Sequence, residues 1–245
     1  MSKCIDGIIG HAIGDAMGVP TEFLIREKLQ KHPVTKMIGY GSHDVPAGCW
    51  SDDTTMEVCL IESFIKNNGF NYDDIMHNFY DWLKEAKFTA TDEQFDAGRT
   101  CIQSIINWSK GIEPLECGLK DEFDNGNGSL MRILPVALYS YYKNLKDDEV
   151  IKLTNEVSSL THAHEISRLG CYIYVKYVMF LLAGLDKKEA YNKIKELDYS
   201  FYSDYAREKY NRILSEEINK YHFDDISSRG YVVDTLEAAL WCVLV

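Results

Sequence analysis

Residues 165–182 read Glu-Ile-Ser-Arg-Leu-Gly-Cys-Tyr-Ile-Tyr-Val-Lys-Tyr-Val-Met-Phe-Leu-Leu, a helical stretch that is apolar on nearly every face. Such a helix cannot lie on a surface, so other helices must surround it. The rest of the chain supplies them. Apolar residues recur at helical spacing over residues 3–17, 51–67, 72–85, 94–109, 130–142, 147–160 and 233–245. Asn68-Gly69 closes the second of these, and Pro135 predicts a kink or break in the fifth. Residues 187–221 are rich in Tyr and Lys and predict peripheral helices. Residues 20–48, punctuated by Pro33, Gly39, Gly41, Pro46 and Gly48, predict irregular structure, as do residues 111–123. No segment alternates as a half-buried strand must, and no long repeat is visible. The expectation is one all-α domain over residues 1–245, with a core too large for a simple four-helix bundle.

Composition narrows the function. Hydrophobic residues make up 46% of the 245, enough to exclude global disorder. The net charge of −12 argues against nucleic acid and anionic membrane as partners. No apolar run is long enough to span a bilayer, and the N-terminus lacks the pattern of a signal peptide. The seven cysteines are odd in number and contain no CxxC pair, which indicates neither a disulfide framework nor a zinc knuckle. A reducing, cytoplasmic setting is the simplest expectation.

Five segments could carry chemistry. Gly7, Gly10, Gly14 and Gly18 recur along the first helix. Each exposed interior glycine costs roughly 1 kcal/mol against alanine, so a closely packed backbone or ligand is expected there. Glu22 follows Gly18-Val19-Pro20-Thr21 on a constrained loop; in isolation it is an ordinary surface carboxylate. Ser51-Asp52-Asp53-Thr54 opens the second helix with consecutive oxygen ligands suited to magnesium or manganese. Taken alone these four residues fit a helix cap better, because Ser and Asp are favoured there for capping and dipole reasons. Asn125-Gly126-Asn127-Gly128-Ser129 precedes an apolar helix. It reads either as an anion cradle or as a glycine-rich turn with a serine cap. Thr161-His162-Ala163-His164-Glu165 holds two histidines without a third zinc ligand. Contact with a ligand hydroxyl and helix capping both fit. Asp52-Asp53-Thr54-Thr55-Met56-Glu57 also matches the aspartate-rich pattern with which all-α isoprenoid synthases hold magnesium and diphosphate.

Taken in order, these segments resemble the ADP-ribosylglycohydrolase family, which includes the dinitrogenase-reductase-activating glycohydrolases. The matching stretches are the run from Gly7 through Phe23, Gly48-Cys49-Trp50-Ser51-Asp52-Asp53-Thr54, Gly126-Asn127-Gly128-Ser129-Leu130-Met131-Arg132, Thr161-His162, and the run from Gly230 through Trp241. The resemblance implies a compact orthogonal multi-helix bundle and a binuclear magnesium or manganese centre. By that resemblance Ser51, Asp52 and Asp53 are metal ligands, with Ser51 where threonine is common. Glu22 and Asp53 are the candidate proton acceptors. Gly126, Asn127, Gly128 and Ser129 would hold diphosphate and ribose, and His162 would contact the ribose or the adenosine end. The implied activity is hydrolysis of the glycosidic bond of ADP-ribose attached to a protein side chain or a small molecule. In the family a second acidic motif, roughly Gly-Gly-Asp-x-Asp-Thr, follows the Ala-Ala-Leu-Trp helix. Residues 1–245 reach only into that helix, and no D-x-D-T occurs among them. The expectation is therefore a C-terminally incomplete domain with a partly filled metal site and reduced activity. A non-catalytic ADP-ribose binder and an isoprenoid-diphosphate enzyme stand as alternatives.

Overall fold

The computed structural model describes residues 2–245. Among them are helices and short 3-10 turns, with two isolated β-bridges and no strand. The chain divides into two compact units, Met1–Gly98 and Arg99–Val245.

The first unit holds α1 (Ser2–Gly18), α2 (Arg26–Lys31), α3 (Asp52–Asn67) and α4 (Tyr72–Glu85). Packing of α3 on α4 builds its core from Met56, Cys59, Leu60, Ile75, Met76, Phe79 and Trp82, all fully buried. The Asn78 side chain ties the pair by donating to the Cys59 carbonyl at 3.0 Å. Asn68, at φ 50°, ends α3 in the left-handed conformation that Asn tolerates. Helix α1 packs on α3. The expected close approach along its glycines is not seen. No atom lies within 4 Å of a Cβ placed on Gly10, Gly14 or Gly18. Ile5, Ile9 and Ile13 on the same helix are about half exposed, and of its apolar residues only Ala16 is buried. The side of α1 that meets α3 carries His11 and Asp15, so polar groups hold it there.

The second unit holds α5 (Arg99–Ser109), α6 (Leu134–Tyr142), α7 (Asp147–Ser159), α8 (Glu165–Leu182), α9 (Lys187–Lys195), α10 (Asp204–Lys209), α11 (Asn211–Ser215) and α12 (Val232–Leu244). Helix α8 is the apolar stretch of residues 165–182, and α6, α7, α9, α10 and α12 all pack against it. Ile166, Leu169, Cys171, Ile173 and Val175 lose all contact with solvent. Gly170 is obligatory, because a Cβ there would collide with the Tyr210 hydroxyl.

Several boundaries differ from the sequence expectation, each for a local reason. Residues 20–48 contain α2, a short helix without a side-chain cap or a buried residue and hence without an apolar signal. The fourth helix starts at Arg99, not near residue 94, because Asp96 takes φ 51°. Pro135 kinks nothing. It occupies the first turn of α6, where its missing N–H is harmless. Residues 187–221 are not peripheral throughout. Tyr191, Tyr199, Tyr202 and Tyr210 are buried, with hydroxyls bonded to carbonyls or to Asn155. Amphipathic rings with satisfied polar tips serve there as core. The seven cysteines are free thiols. No helix is long and apolar enough to cross a membrane.

Candidate active site

In the first unit the chemistry gathers at the N-terminus of α3. Ser51 is its N-cap, and its hydroxyl accepts from the Asp53 N–H at 3.3 Å. The remaining orphan donors are met from α1. The Asp15 carboxylate accepts the Ser51 N–H at 3.0 Å, the Ser51 hydroxyl at 2.8 Å, the Thr54 N–H at 3.0 Å and the Thr54 hydroxyl at 2.6 Å. One half-buried carboxylate thus takes over the capping of a neighbouring helix.

Asp52 and Asp53 are thereby released from capping, and neither side chain accepts a hydrogen bond among the described residues. Asp52 is only 6% exposed. Burial raises its pKa well above the usual carboxylate range, and the charges of Asp53, Asp96, Asp15 and Glu22 push the same way. Asp53 is pushed up to about 7 by burial and by Asp15, against the pull of His11, with Glu22 and Asp96 adding to the rise. Two adjacent carboxylates so shielded from solvent, with only His11 to offset the second, cannot both ionise cheaply. A hard divalent cation bound by oxygen ligands removes that penalty, so the donor set of Ser51, Asp52 and Asp53 fits magnesium or manganese.

Two ion pairs flank the acidic shelf. His11 Nδ1 bonds Glu57 Oε2, one turn along α3 from Asp53. Glu57 is 1% exposed, and its Oε1 is buried without a partner. Burial alone would lower the His11 pKa. The bond and charge of Glu57, with the charges of Asp53 and Asp15, outweigh it and raise the pKa. On the other flank His43 Nε2 lies 2.5 Å from Glu22 Oε2. Burial raises the Glu22 pKa against the His43 bond, and Asp96 raises it further.

In the second unit the glycine loop is pinned from two sides. The Val232 N–H donates to the Asn125 carbonyl at 3.0 Å and the Asn127 N–H to the Gly230 carbonyl at 3.1 Å, around an antiparallel bridge between Gly126 and Tyr231. The Asn127 side chain donates to Thr235 Oγ1. Beneath the loop lies Arg132, fully buried, donating to the Gly128 carbonyl and, at 2.9 Å, to the Thr161 hydroxyl. In a trans peptide that fixes the Ser129 N–H on the side away from the guanidinium. The Ser129 hydroxyl itself is fully buried between Ser158 and Cys171.

His162 is 2% exposed, with Nδ1 2.8 Å from the Thr161 hydroxyl. Burial, with the nearby charges of Arg132 and Arg99, drives its pKa down to about 3, which keeps the ring neutral. A Cβ on Gly128 would lie 2.8 Å from both His162 Cε1 and Cys101 Sγ, so only glycine fits between them. The helix cap in this segment is His164, whose ring nitrogen accepts from the Ile166 N–H. The loop does not feed directly into a helix N-terminus as expected, since α6 begins at Leu134 after a tight turn. Any anion held there would meet backbone amides and neighbouring cations, not a helix N-terminus. Beside it opens a cleft of about 550 Å³ lined by Phe123, Gly126, Lys209, Arg229 and Tyr231, among others. Phe123 is 93% exposed.

A model of the ADP-ribosylglycohydrolase family matches residues 1–245. The chain belongs to that family. It is 31% identical to the ADP-ribosylarginine hydrolase Tri1 of Pseudomonas putida, over 99% of this chain and 62% of the relative. It is 28% identical to the ADP-ribosyl-[dinitrogen reductase] glycohydrolase of Rhodospirillum rubrum, over 97% of this chain and 72% of that protein. A solved chain described as an ADP-ribosylglycohydrolase-related protein complex superposes with a TM-score of 0.77, at 24% identity over 96% of this chain and 72% of the other. That superposition supports the all-α fold. The chain spans 62% of the Tri1 protein it matches. Family membership selects against the isoprenoid synthase reading of Asp52-Asp53-Thr54-Thr55-Met56-Glu57.

Of the site residues read from sequence, Glu22, Ser51, Asp52 and Asp53 lie in the first unit, where their charges interact. Gly126, Asn127, Gly128, Ser129 and His162 lie together in the second. Sequence reasoning gave no role to Asp15, His43, Asp96 or Arg132. Asp15 carried a usable signal, a carboxylate one helical turn from His11 on a glycine-rich helix. The others reveal themselves only through contacts across many residues of chain.

Proposed function

We propose that this chain hydrolyses the glycosidic bond between ADP-ribose and a nucleophilic side chain, arginine by analogy with the Tri1 relative, in a reaction dependent on a divalent cation. The observation that carries the reading is the pair Asp52 and Asp53, adjacent at the start of α3, Asp52 buried and Asp53 half-buried, whose side chains accept no hydrogen bond among the described residues. Ser51, Asp52 and Asp53 would hold magnesium or manganese. The ion supplies Lewis-acid polarisation and orients substrate oxygens. Asp15 keeps the three ligands in place through its four hydrogen bonds. The pKa of Glu22, raised by burial, favours its taking up a proton during the reaction. In the reaction a water oxygen bonds to the anomeric carbon, Glu22 or Asp53 takes the water's proton, and the departing nitrogen leaves with the glycosidic electron pair and is protonated. Negative charge nearby favours the oxocarbenium-like transition state.

The second unit carries the recognition chemistry. Phe123 and Tyr231 offer aromatic faces to a base, while Lys209 and Arg229 place two cations beside the glycine loop in a protein of net charge −12. That combination suits a nucleoside diphosphate.

The test is release of ADP-ribose from ADP-ribosyl-arginine on titration with Mg²⁺ or Mn²⁺. No release at any metal concentration sinks the hydrolase reading. Calorimetric binding of ADP-ribose without release would make the chain a binder. The double substitution Asp52→Ala with Asp53→Ala should abolish release and leave the helical circular dichroism nearly intact.

A further inference from the structure

Outside the Ser51-Asp52-Asp53 shelf, three loops of the first unit converge. Glu22 follows the 3-10 turn after α1, His43 lies in the loop leading to Ser51, and Asp96 precedes α5. One carboxylate oxygen from each acid and one ring nitrogen of His43 lie within 4.8 Å of one another. His43 Nε2 is 2.5 Å from Glu22 Oε2 and 3.9 Å from Asp96 Oδ2. The rings of Phe23, at 5.9 Å, and Phe95, at 5.2 Å, flank the imidazole and restrict its plane. All three side chains are partly exposed, His43 at 13%, Glu22 at 31% and Asp96 at 32%. A second observation is independent of these contacts. The Asp52 carboxylate, more than nine-tenths buried, accepts no hydrogen bond and feels the charges of both Asp96 and Glu22.

We propose that Glu22, His43 and Asp96 form a site for one zinc-type transition-metal ion, distinct in its ligands from the Ser51-Asp52-Asp53 centre, and that an ion held there withdraws Glu22 from hydrolysis. The second half of the proposal rests on the role proposed for Glu22; the first half does not. Zinc takes nitrogen and oxygen ligands at about 2.0–2.2 Å in a tetrahedron, which sets donors roughly 3.3 Å apart. The observed 2.5 Å and 3.9 Å bracket that spacing, so modest side-chain rotation opens one distance and closes the other. Three protein ligands leave the fourth position to water. Imidazole makes the site selective, because magnesium prefers oxygen donors and keeps its waters, whereas zinc, cobalt and nickel accept ring nitrogen.

The test is calorimetry of Zn²⁺ binding to the whole chain under saturating Mg²⁺ and without substrate, with Co²⁺ as a spectroscopic probe. The expected result is one Zn²⁺ site that Mg²⁺ does not displace, and a Co²⁺ visible spectrum of a four-coordinate centre. His43→Ala and Asp96→Asn should each weaken Zn²⁺ at least tenfold, while Ser51→Ala leaves it unchanged. His43→Gln keeps a donor to Glu22 but no metal ligand, and replaces His43→Ala if that variant loses its helical signal. Unchanged affinity in His43→Gln and Asp96→Asn, or no Zn²⁺ bound, overturns the site and leaves an ordinary ion pair. In a second arm, filling the site with Zn²⁺ should halt Mg²⁺-dependent ADP-ribose release, and His43→Gln should require at least tenfold more Zn²⁺. Binding without inhibition overturns the Glu22 half. Absence of any Mg²⁺-dependent release would overturn the hydrolase reading and leave the Zn²⁺ result standing.

Discussion

Lowering the pH from about 7 to about 5 should destabilise the fold through His162. In the unfolded chain this histidine takes up a proton near its ordinary pKa of 6.5, whereas burial and Arg132 hold it down at about 3 in the native state. Between those values the unfolded state binds the extra proton, so stability falls as the pH falls. At pH 5 the penalty is 1.5 pH units, or about 2 kcal/mol, and it grows to about 5 kcal/mol below pH 3. Against a typical total of about 5–15 kcal/mol, that is a large share. Urea unfolding of wild type and of His162→Gln at the two pH values isolates the effect. Wild type should lose about 2 kcal/mol more than the variant between about pH 7 and about pH 5. His11, whose pKa is raised, contributes with opposite sign but equally in both proteins, and so cancels. Equal losses would refute a neutral, buried His162 beneath the glycine loop.

Three further outcomes follow from the contacts. Asp15→Asn places an amide donor against the N–H and hydroxyl donors of Ser51 and Thr54; it should cost about 2 kcal/mol in thermal unfolding and weaken Mg²⁺ by about tenfold or more in calorimetry. Asp52→Asn or Asp53→Asn removes one of two buried like charges. Each should raise the melting temperature by a few degrees without metal, while the gain on adding Mg²⁺ disappears. Gly128→Ala drives a methyl against His162 and Cys101; it should cost about 1–3 kcal/mol and weaken ADP-ribose binding measured by calorimetry.

The central helix was legible because eighteen residues without a polar face leave no choice of environment. The ends of α3 were legible because Ser51 and Asn68 carry capping chemistry in their own side chains. In residues 187–221 long-range contacts overruled a local pattern. Tyrosines that look amphipathic in sequence became core once distant carbonyls met their hydroxyls. The glycines of α1 signal a close approach, yet no atom lies near Gly10, Gly14 or Gly18. Sequence spacing registers the absence of side chains but not what fills the space. Arg132 was visible in the chain, but its role depends on Thr161, twenty-nine residues away, and on the turn that brings the Gly128 carbonyl over it.

The hardest choice in the sequence was between a helix cap and a metal shelf at Ser51-Asp52-Asp53-Thr54. In the proposed reading these are two halves of one device. A lone helix with Asp in its first turn uses the carboxylate to satisfy its own N–H groups, which lowers the pKa and engages the oxygens. Here Asp15, on another helix, satisfies Ser51 and Thr54, and the Ser51 hydroxyl satisfies Asp53 N–H. Asp52 and Asp53 keep their oxygens free, and burial drives their pKa values up instead of down. The direction of the shift separates the two roles, because a capping carboxylate is held below its ordinary value while a ligand awaiting its cation stands above it. Asp15 is therefore the residue that would turn an ordinary helix start into the proposed cation site.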